Sequence, residues 1–402
     1  MNVKKLSLII LPILLLLGGL IWWNLSSDDS GSETGDDWED TLDEMISNRN
    51  ENADEQSDET DRQDQARQGS GPFLNEGEFE LPIEGAAGYS SVSQKLHTHP
   101  YEQAPVEAVL ISGTPFEILS EDGNWWEVRT ANARGWIEHK SAFINLPDIM
   151  PSIIYDNTNS YSSLFKSSSQ DIPELTGEAL YEAVDYNERL EEEAFIMPVL
   201  YSTAKKISVA QRLALTNGEA LKLYETYRPF DVQVLVGESL TALAEEDEEI
   251  EKNLNSAPWT LAWFIVVNDV SNHQRGAAID MSLVKVETME HKVIGDYITL
   301  NVSEYVEYDM QTPMHELSVD SVIYQSPFSS SSQTAWLEHE LVDEMTEGSI
   351  RLQGYATEAG LTPIASEWWH FNDLDAVEEL GEEAGTGDFH LTETLNSQPT
   401  LD

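Results

Sequence analysis

The sequence predicts an α+β domain with an antiparallel-leaning central sheet, preceded by an N-terminal transmembrane helix, a disordered acidic linker and a small all-β barrel. Three patterns predict it. An uncharged apolar run fills residues 6–25. Short strand-like runs separated by turn signals fill 81–147. Helical and strand periods then mix through 152–390.

The basic stub from Met1 to Lys5 precedes the apolar run, and about 20 apolar residues suffice to cross a bilayer as a helix. Lys4 and Lys5 keep the start in the cytoplasm and place everything after Trp23 outside. A cleaved signal peptide is the rival reading and yields a secreted protein. The run is longer than a usual signal core, and Ile21, Trp22, Trp23 and Asn24 offer no small-residue cleavage site. Residues 1–25 are therefore expected to be the membrane anchor, the chain's one contact with lipid. Residues 26–80 are dominated by Asp, Glu, Ser, Gly, Asn and Gln, too polar to offset the entropy of ordering, and read as a disordered spacer.

The 402 residues carry 74 Asp and Glu against 21 Lys and Arg, a net charge of −53. Phosphate backbones would be repelled, so nucleic acid is not an expected partner. There is no cysteine, which excludes disulfides, thiolate nucleophiles and Cys-based zinc sites. A catalytic metal would have to be held by His and carboxylates.

Residues 108–111 and 116–119 read as strands. A turn at 121–124 and strands at 125–130 and 135–138 follow. The runs Gly113-Thr114-Pro115-Phe116, Gly123-Asn124-Trp125-Trp126-Glu127-Val128 and Gly135-Trp136-Ile137 resemble those of bacterial SH3-like domains. The resemblance implies binding to the cell wall for residues 81–147; the plain alternative is a folded spacer.

In 152–390, an amphipathic helix is expected at 202–216, with Ile207, Ala210, Leu213 and Ala214 on one face and Asn217-Gly218 as its stop. Strands are expected at 221–227, 263–267, 277–286 and around 368–371. A helix starting at Ser332 should present Trp336, Leu337, Leu341 and Met345, break at Gly348, and be followed by a second helix over 349–359. Residues 391–402 read as a tail.

In Ser271-Asn272-His273-Gln274-Arg275-Gly276-Ala277-Ala278-Ile279-Asp280, the alternation of Ile279, Met281 and Leu283 turns Asp280 to the opposite face of a strand. Gly276 lets the loop fold His273 back beside it. His and Asp at one point suit zinc, and His370, in Ser366-Glu367-Trp368-Trp369-His370, can add a third ligand, leaving the open position of a catalytic site. Glu367 is the natural general acid/base. Residues three apart on an ideal strand face opposite ways, so Glu367 must lie in a bend before the strand, or the strand must bulge. Arg228, in Tyr227-Arg228-Pro229, can stabilise an oxyanion.

These motifs, with the run from Asp309 to Ser318, resemble the zinc D-alanyl-D-alanine dipeptidases and the D,D-carboxypeptidase superfamily around them. The resemblance implies zinc held by His273, Asp280 and His370, Glu367 as acid/base, Arg228 holding the transition state, and Ser271 and Tyr227 contacting substrate. It implies a D-Ala-containing peptide or peptidoglycan as substrate. The chain departs from the family pattern at Glu225, Asn272, Gln311 and His315, the last standing where Asp is usual. His97, His99, His139, His291, His315, His339 and His390 are expected to be structural or solvated. Two other readings stay open: an inactive wall-binding protein, and a carboxypeptidase or endopeptidase acting on polymeric peptidoglycan.

Overall fold

The first folded segment holds more strands than the sequence motifs mark. In the computed structural model, which describes residues 79–266 and 269–401, seven strands arise here: β1 (Ala87–Ser90), β2 (Gln94–His97), β3 (Val106–Leu110), β4 (Pro115–Asp122), β5 (Trp125–Arg129), β6 (Arg134–Glu138) and β7 (Ala142–Asn145). In β5, Trp126 and Val128 point inward while Arg129 is exposed, as a period of two requires. Strands β1 and β7 are buried along their whole length, so they show no alternation to read.

The expected anchor (1–25) and nearly all of the expected linker (26–80) lie outside the described residues. Among the described residues no helix is long and apolar enough to cross a membrane. The fold already includes Phe79 and Glu80, both buried, so the linker boundary falls earlier than residue 80. Glu80 accepts hydrogen bonds from Ser152 N at 3.0 Å and Thr299 Oγ1 at 3.2 Å, and pairs with Ser152 Oγ.

The second region begins with β8 (Ile154–Tyr155), followed by two small hairpins, β9 (Lys166–Ser167) with β10 (Gln170–Asp171) and β11 (Val184–Asn187) with β12 (Glu192–Phe195). Then come β13 (Pro198–Leu200), helix α1 (Tyr201–Thr216), β14 (Glu219–Glu225), helix α2 (Phe230–Glu246) and helix α3 (Glu248–Leu254). The long hairpin β15 (Ala278–Ile294) and β16 (Tyr297–Glu307) precedes helix α4 (Glu347–Glu358), β17 (Thr362–Pro363), β18 (His370–Asn372) and helix α5 (Leu374–Leu380). The central sheet has the order β17-β18-β15-β14-β8, with β16 also on β15. All its pairs are antiparallel except β14 with β8.

The barrel and the second region are not separate beads. Strand β13 pairs antiparallel with β7, Val199 opposite Ile144, and extends the barrel sheet to eight strands, β13-β7-β1-β4-β5-β6-β2-β3. It covers an edge that would otherwise expose unpaired amides. Tyr201, the first residue of α1, stacks edge-on against Trp126 of the barrel with centroids 4.8 Å apart. The expected tail is also part of the body: Ser397 N donates to Gly85 O (2.9 Å), Asn396 Nδ2 to Asp148 Oδ2 (2.9 Å), and Asp296 N to Pro399 O (3.0 Å).

Three elements differ from expectation. The stretch 332–345 forms only a 3-10 turn at Ala335–Glu338, because only part of its apolar spacing meets a surface: Trp336 and Met345 pack on the core, while Leu337 is 64% exposed. Gly348 lies within the first turn of α4 instead of breaking a helix; a Cβ there would lie 2.6 Å from Tyr308 Cβ. The strand expected at 263–267 is absent from its described part: Leu261–Trp263 is a 3-10 turn, and Trp263 and Phe264 line a cavity instead of joining a ladder.

Candidate metal centre and catalytic cleft

Strand pairing brings the motifs together. Strand β18 lies antiparallel to β15 with His370 directly opposite Asp280, so two residues 90 apart in sequence share one face. The hydrogen bond from Met281 N to Trp369 O, at 3.0 Å, holds this register. The loop before β15 returns His273 to the same point. Gly276 makes the return possible at φ +70°, and a Cβ there would lie 2.4 Å from the Phe143 ring of β7.

Hydrogen bonds set the tautomers. His273 Nδ1–H donates to Thr226 O at 2.6 Å, which leaves the Nε2 lone pair free. His370 Nε2–H donates to Asn372 Oδ1 at 3.1 Å, which leaves Nδ1 free. Those two free nitrogens are 3.1 Å apart, and His370 Nδ1 is 3.1 Å from Asp280 Oδ1. One ligand atom from each of the three residues lies within 4.8 Å of the others. In these tautomers three acceptors converge with no proton among them, an arrangement that fits a divalent cation and matches the His/carboxylate donor set of catalytic zinc.

All three side chains are buried. Burial pushes the His273 imidazole below its usual range despite the opposing charge of Asp280. Burial acts the same way on His370, but the hydrogen bond and charge of Asp280 outweigh it and the net direction is up. Burial alone would raise Asp280; His273, His315 and His370 together hold it well below the usual carboxylate range.

Glu367 occupies the bend before β18, as the spacing required, with Oε2 3.9 Å from His370 Nδ1. Burial pushes its carboxyl up to about 7, against the lowering effect of His370. A carboxyl of that strength beside the ligand position can both take and return a proton near neutral pH.

Arg228 lies beyond the end of β14, and Pro229 leads into α2. Its guanidinium is buried and clamped: Nε donates to Glu225 Oε2 at 2.9 Å, Nη1 to Gln233 Oε1 at 2.7 Å, and Nη2 to Asp280 Oδ2 at 3.3 Å and to Glu225. It borders the cleft as a fixed cation. Glu225, Asp280 and His315 also cluster closely enough for a metal, but the Arg228 guanidinium already pairs with both carboxylates there.

His315, expected to be structural or solvated, reaches the metal cluster. It is fully buried, stacked on Phe165 at 4.4 Å, and its Nε2 is 3.2 Å from Asp280 Oδ2. It adopts φ +61°. Nδ1 has no partner among the described residues, so the proton belongs on Nε2, donating to Asp280. His315 and Arg228 hold Oδ2 while Oδ1 faces His370. No motif spacing signals this; the one hint is its place in the Thr-Pro run.

Ser271 borders the cleft, and its hydroxyl accepts from His273 N at 3.3 Å. Tyr227 is elsewhere. Its hydroxyl lies 2.9 Å from Gly387 O and 2.8 Å from Phe389 O, its ring stacks on Phe389, and it does not line the cleft. The substrate contact expected of Tyr227 is corrected by this geometry, because the side chain is committed to the C-terminal segment around Phe389.

The cleft holds about 410 Å³ and is lined by Arg228, His273, Arg275, Glu367 and His370, with apolar walls from Phe165, Phe264, Leu317 and Phe328. That size and composition suit a small ligand.

A family model described as bacterial SH3 domain matches residues 91–141, across β2 to β6, and one described as D-ala-D-ala dipeptidase matches residues 179–382, which hold every metal-cluster residue. No curated protein matches the chain. The chain belongs to the D-Ala-D-Ala dipeptidase family of hydrolases, with a bacterial SH3 domain ahead of its hydrolase region.

Proposed function

We propose that the protein is a zinc peptidase that hydrolyses D-Ala-D-Ala, or the D-Ala-ending stem peptides of peptidoglycan, outside the cytoplasm. The observation that carries this is the meeting of His273, Asp280 and His370 beside Glu367 in a ligand-sized cleft. Bound zinc would supply a Lewis acid for the scissile carbonyl and for water activation. Glu367 takes the proton of the attacking water and returns it to the leaving amine nitrogen. Arg228, held rigid by Glu225 and Gln233, stabilises the negative charge that develops on the carbonyl oxygen. Ser271 retains a hydroxyl proton with which to orient substrate.

The sequence supports the location: the apolar run 6–25 would hold the chain in the membrane with its folded part outside. The SH3 domain would hold wall peptide, through a groove of about 570 Å³ lined by Lys95, His97, Trp125 and Lys140. An enzyme so placed meets stem peptides, which favours wall-derived substrates over a cytoplasmic dipeptide pool.

The test is turnover of D-Ala-D-Ala, an acylated D-Ala-D-Ala and intact peptidoglycan, each with and without a chelator. Zinc-dependent release of D-Ala is the expected result. A purified protein that retains no zinc and releases no D-Ala would leave the inactive wall binder as the better reading.

A further inference from the structure

Arg275 sits two residues after the metal ligand His273, in the same loop, and borders the same cleft. Between them Gln274 turns inward, donating through Nε2 to Arg228 O at 3.0 Å and accepting from Ser271 N at 2.7 Å. The loop thus presents the imidazole of His273 and the guanidinium of Arg275 to one cavity, with Ser271 and Asn272 beside them.

The guanidinium is used on one side only. Nη1 donates to Asn272 Oδ1 at 3.0 Å. Asn272 Nδ2 in turn donates to Asn372 Oδ1 at 2.8 Å, the oxygen that also accepts from His370. This chain orients the guanidinium. Nε is buried with no partner among the described residues, and Nη2 has none either. The Nη2 end of the guanidinium keeps N–H groups that can donate charge-assisted hydrogen bonds to a carboxylate.

Arg275 also has no acidic partner among the described residues, in a chain with 74 Asp and Glu and only 21 Lys and Arg. Arg129, Arg134, Arg228 and Arg351 each pair with a glutamate. Arg228 cannot take the same part, because four of its N–H contacts are committed to protein acceptors. A guanidinium edge left unpaired at a cleft wall is costly until an anion meets it.

We infer that Arg275 binds the free C-terminal carboxylate of the substrate, so that the enzyme cleaves the last peptide bond of a chain. This rests on the peptidase reading above. In a substrate cut at its final bond, the carboxylate is one residue beyond the scissile carbonyl, a reach of about 3.8 Å between successive Cα atoms. The carbonyl at the metal position and the carboxylate at Arg275 would be gripped from one loop.

The experiment compares Ac-D-Ala-D-Ala with its C-terminal amide on the zinc-loaded full-length chain, the Arg275→Gln variant and the Arg275→Lys variant. The parent is expected to favour the acid strongly. Arg275→Gln should raise KM for the acid roughly 10- to 100-fold, the loss of a charge-assisted hydrogen bond, while kcat changes little and the amide is unaffected. Arg275→Lys should recover part of the KM. Equal effects on acid and amide, or an unchanged KM for the acid, would overturn the inference while leaving the peptidase reading standing. No turnover by the parent of either compound, nor of free D-Ala-D-Ala, would bring down both.

Discussion

Replacing Glu367 with Gln separates the catalytic role proposed for this carboxyl from the cost of burying it. The side chain is buried, and burial pushes it from an ordinary 4.5 up to about 7. A raised carboxyl favours the folded state while protonated. Its contribution is therefore complete below pH 4.5 and is lost as pH rises through 7. The size of that loss is about 3 kcal/mol, the free-energy equivalent of the rise. An amide carries no charge at any pH, so Glu367→Gln avoids the loss. Metal-free protein, prepared with a chelator, is the species to which this applies, since a cation beside Glu367 would relieve the same cost. The expected pattern is that metal-free Glu367→Gln is more stable than the parent at about pH 8, by up to about 3 kcal/mol, and similar to it at about pH 4.5. Catalysis should move the other way: kcat of the zinc-loaded variant should fall roughly 10²- to 10⁴-fold, as expected when a general base is removed. Urea titrations at the two pH values and initial rates of D-Ala release read both quantities, with zinc content confirming that the ligands survive. A variant that hydrolyses at the parent rate would show that the base is another group. A variant less stable than the parent at the higher pH would show that the buried carboxylate is satisfied in place.

Three other perturbations test the surroundings of the site and the fold. His315→Ala should weaken zinc binding roughly 10- to 100-fold in a chelator competition, because Asp280 Oδ2 loses its imidazole donor; parent-like affinity would mean that Arg228 alone holds the carboxylate. Gly276→Ala should lower both thermal stability and zinc affinity, since a left-handed non-glycine residue costs about 1–3 kcal/mol and its Cβ would lie 2.4 Å from the Phe143 ring; an unchanged melting temperature would contradict this. Glu80, raised to about 7 by burial despite its Ser152 and Thr299 hydrogen bonds, loses its stabilising effect as pH rises through 7, so Glu80→Gln should gain on the parent between about pH 5 and pH 8 in urea titrations, and a constant difference would refute the assignment.

The metal cluster was legible because its determinants are local. The run from Ser271 to Asp280 holds a loop, a permissive glycine and a strand whose alternation fixes the direction of Asp280, and the three-residue step from Glu367 to His370 demanded either a bend or a bulge, of which the structure contains the bend. The barrel strands around Trp125 and Trp126 were legible by the same period of two. What escaped depends on distance. His315 acquires its place from Asp280, 35 residues earlier, and nothing about its neighbours in sequence foretells that contact. Tyr227 is adjacent to a cleft residue yet packs against Phe389, since position along an irregular turn does not fix orientation. Strand β13 is three residues long, too short to display a period, and its pairing with β7 shows only in three dimensions. The stretch from Ser332 to Met345 has helical spacing but no surface that receives the whole of that face.

The close approach of Gly276 to Phe143 makes the barrel sheet part of the foundation of the candidate metal site. Leu200 N, at the end of the strand added to that sheet, donates to Gly276 O at 2.8 Å, so the His273 loop is seated against the sheet on two sides. A hydrolase fragment begun after Met150 would lose this seat and leave β13 without its neighbour. A different module placed ahead of the hydrolase region would therefore need to supply an aromatic ring beneath the loop.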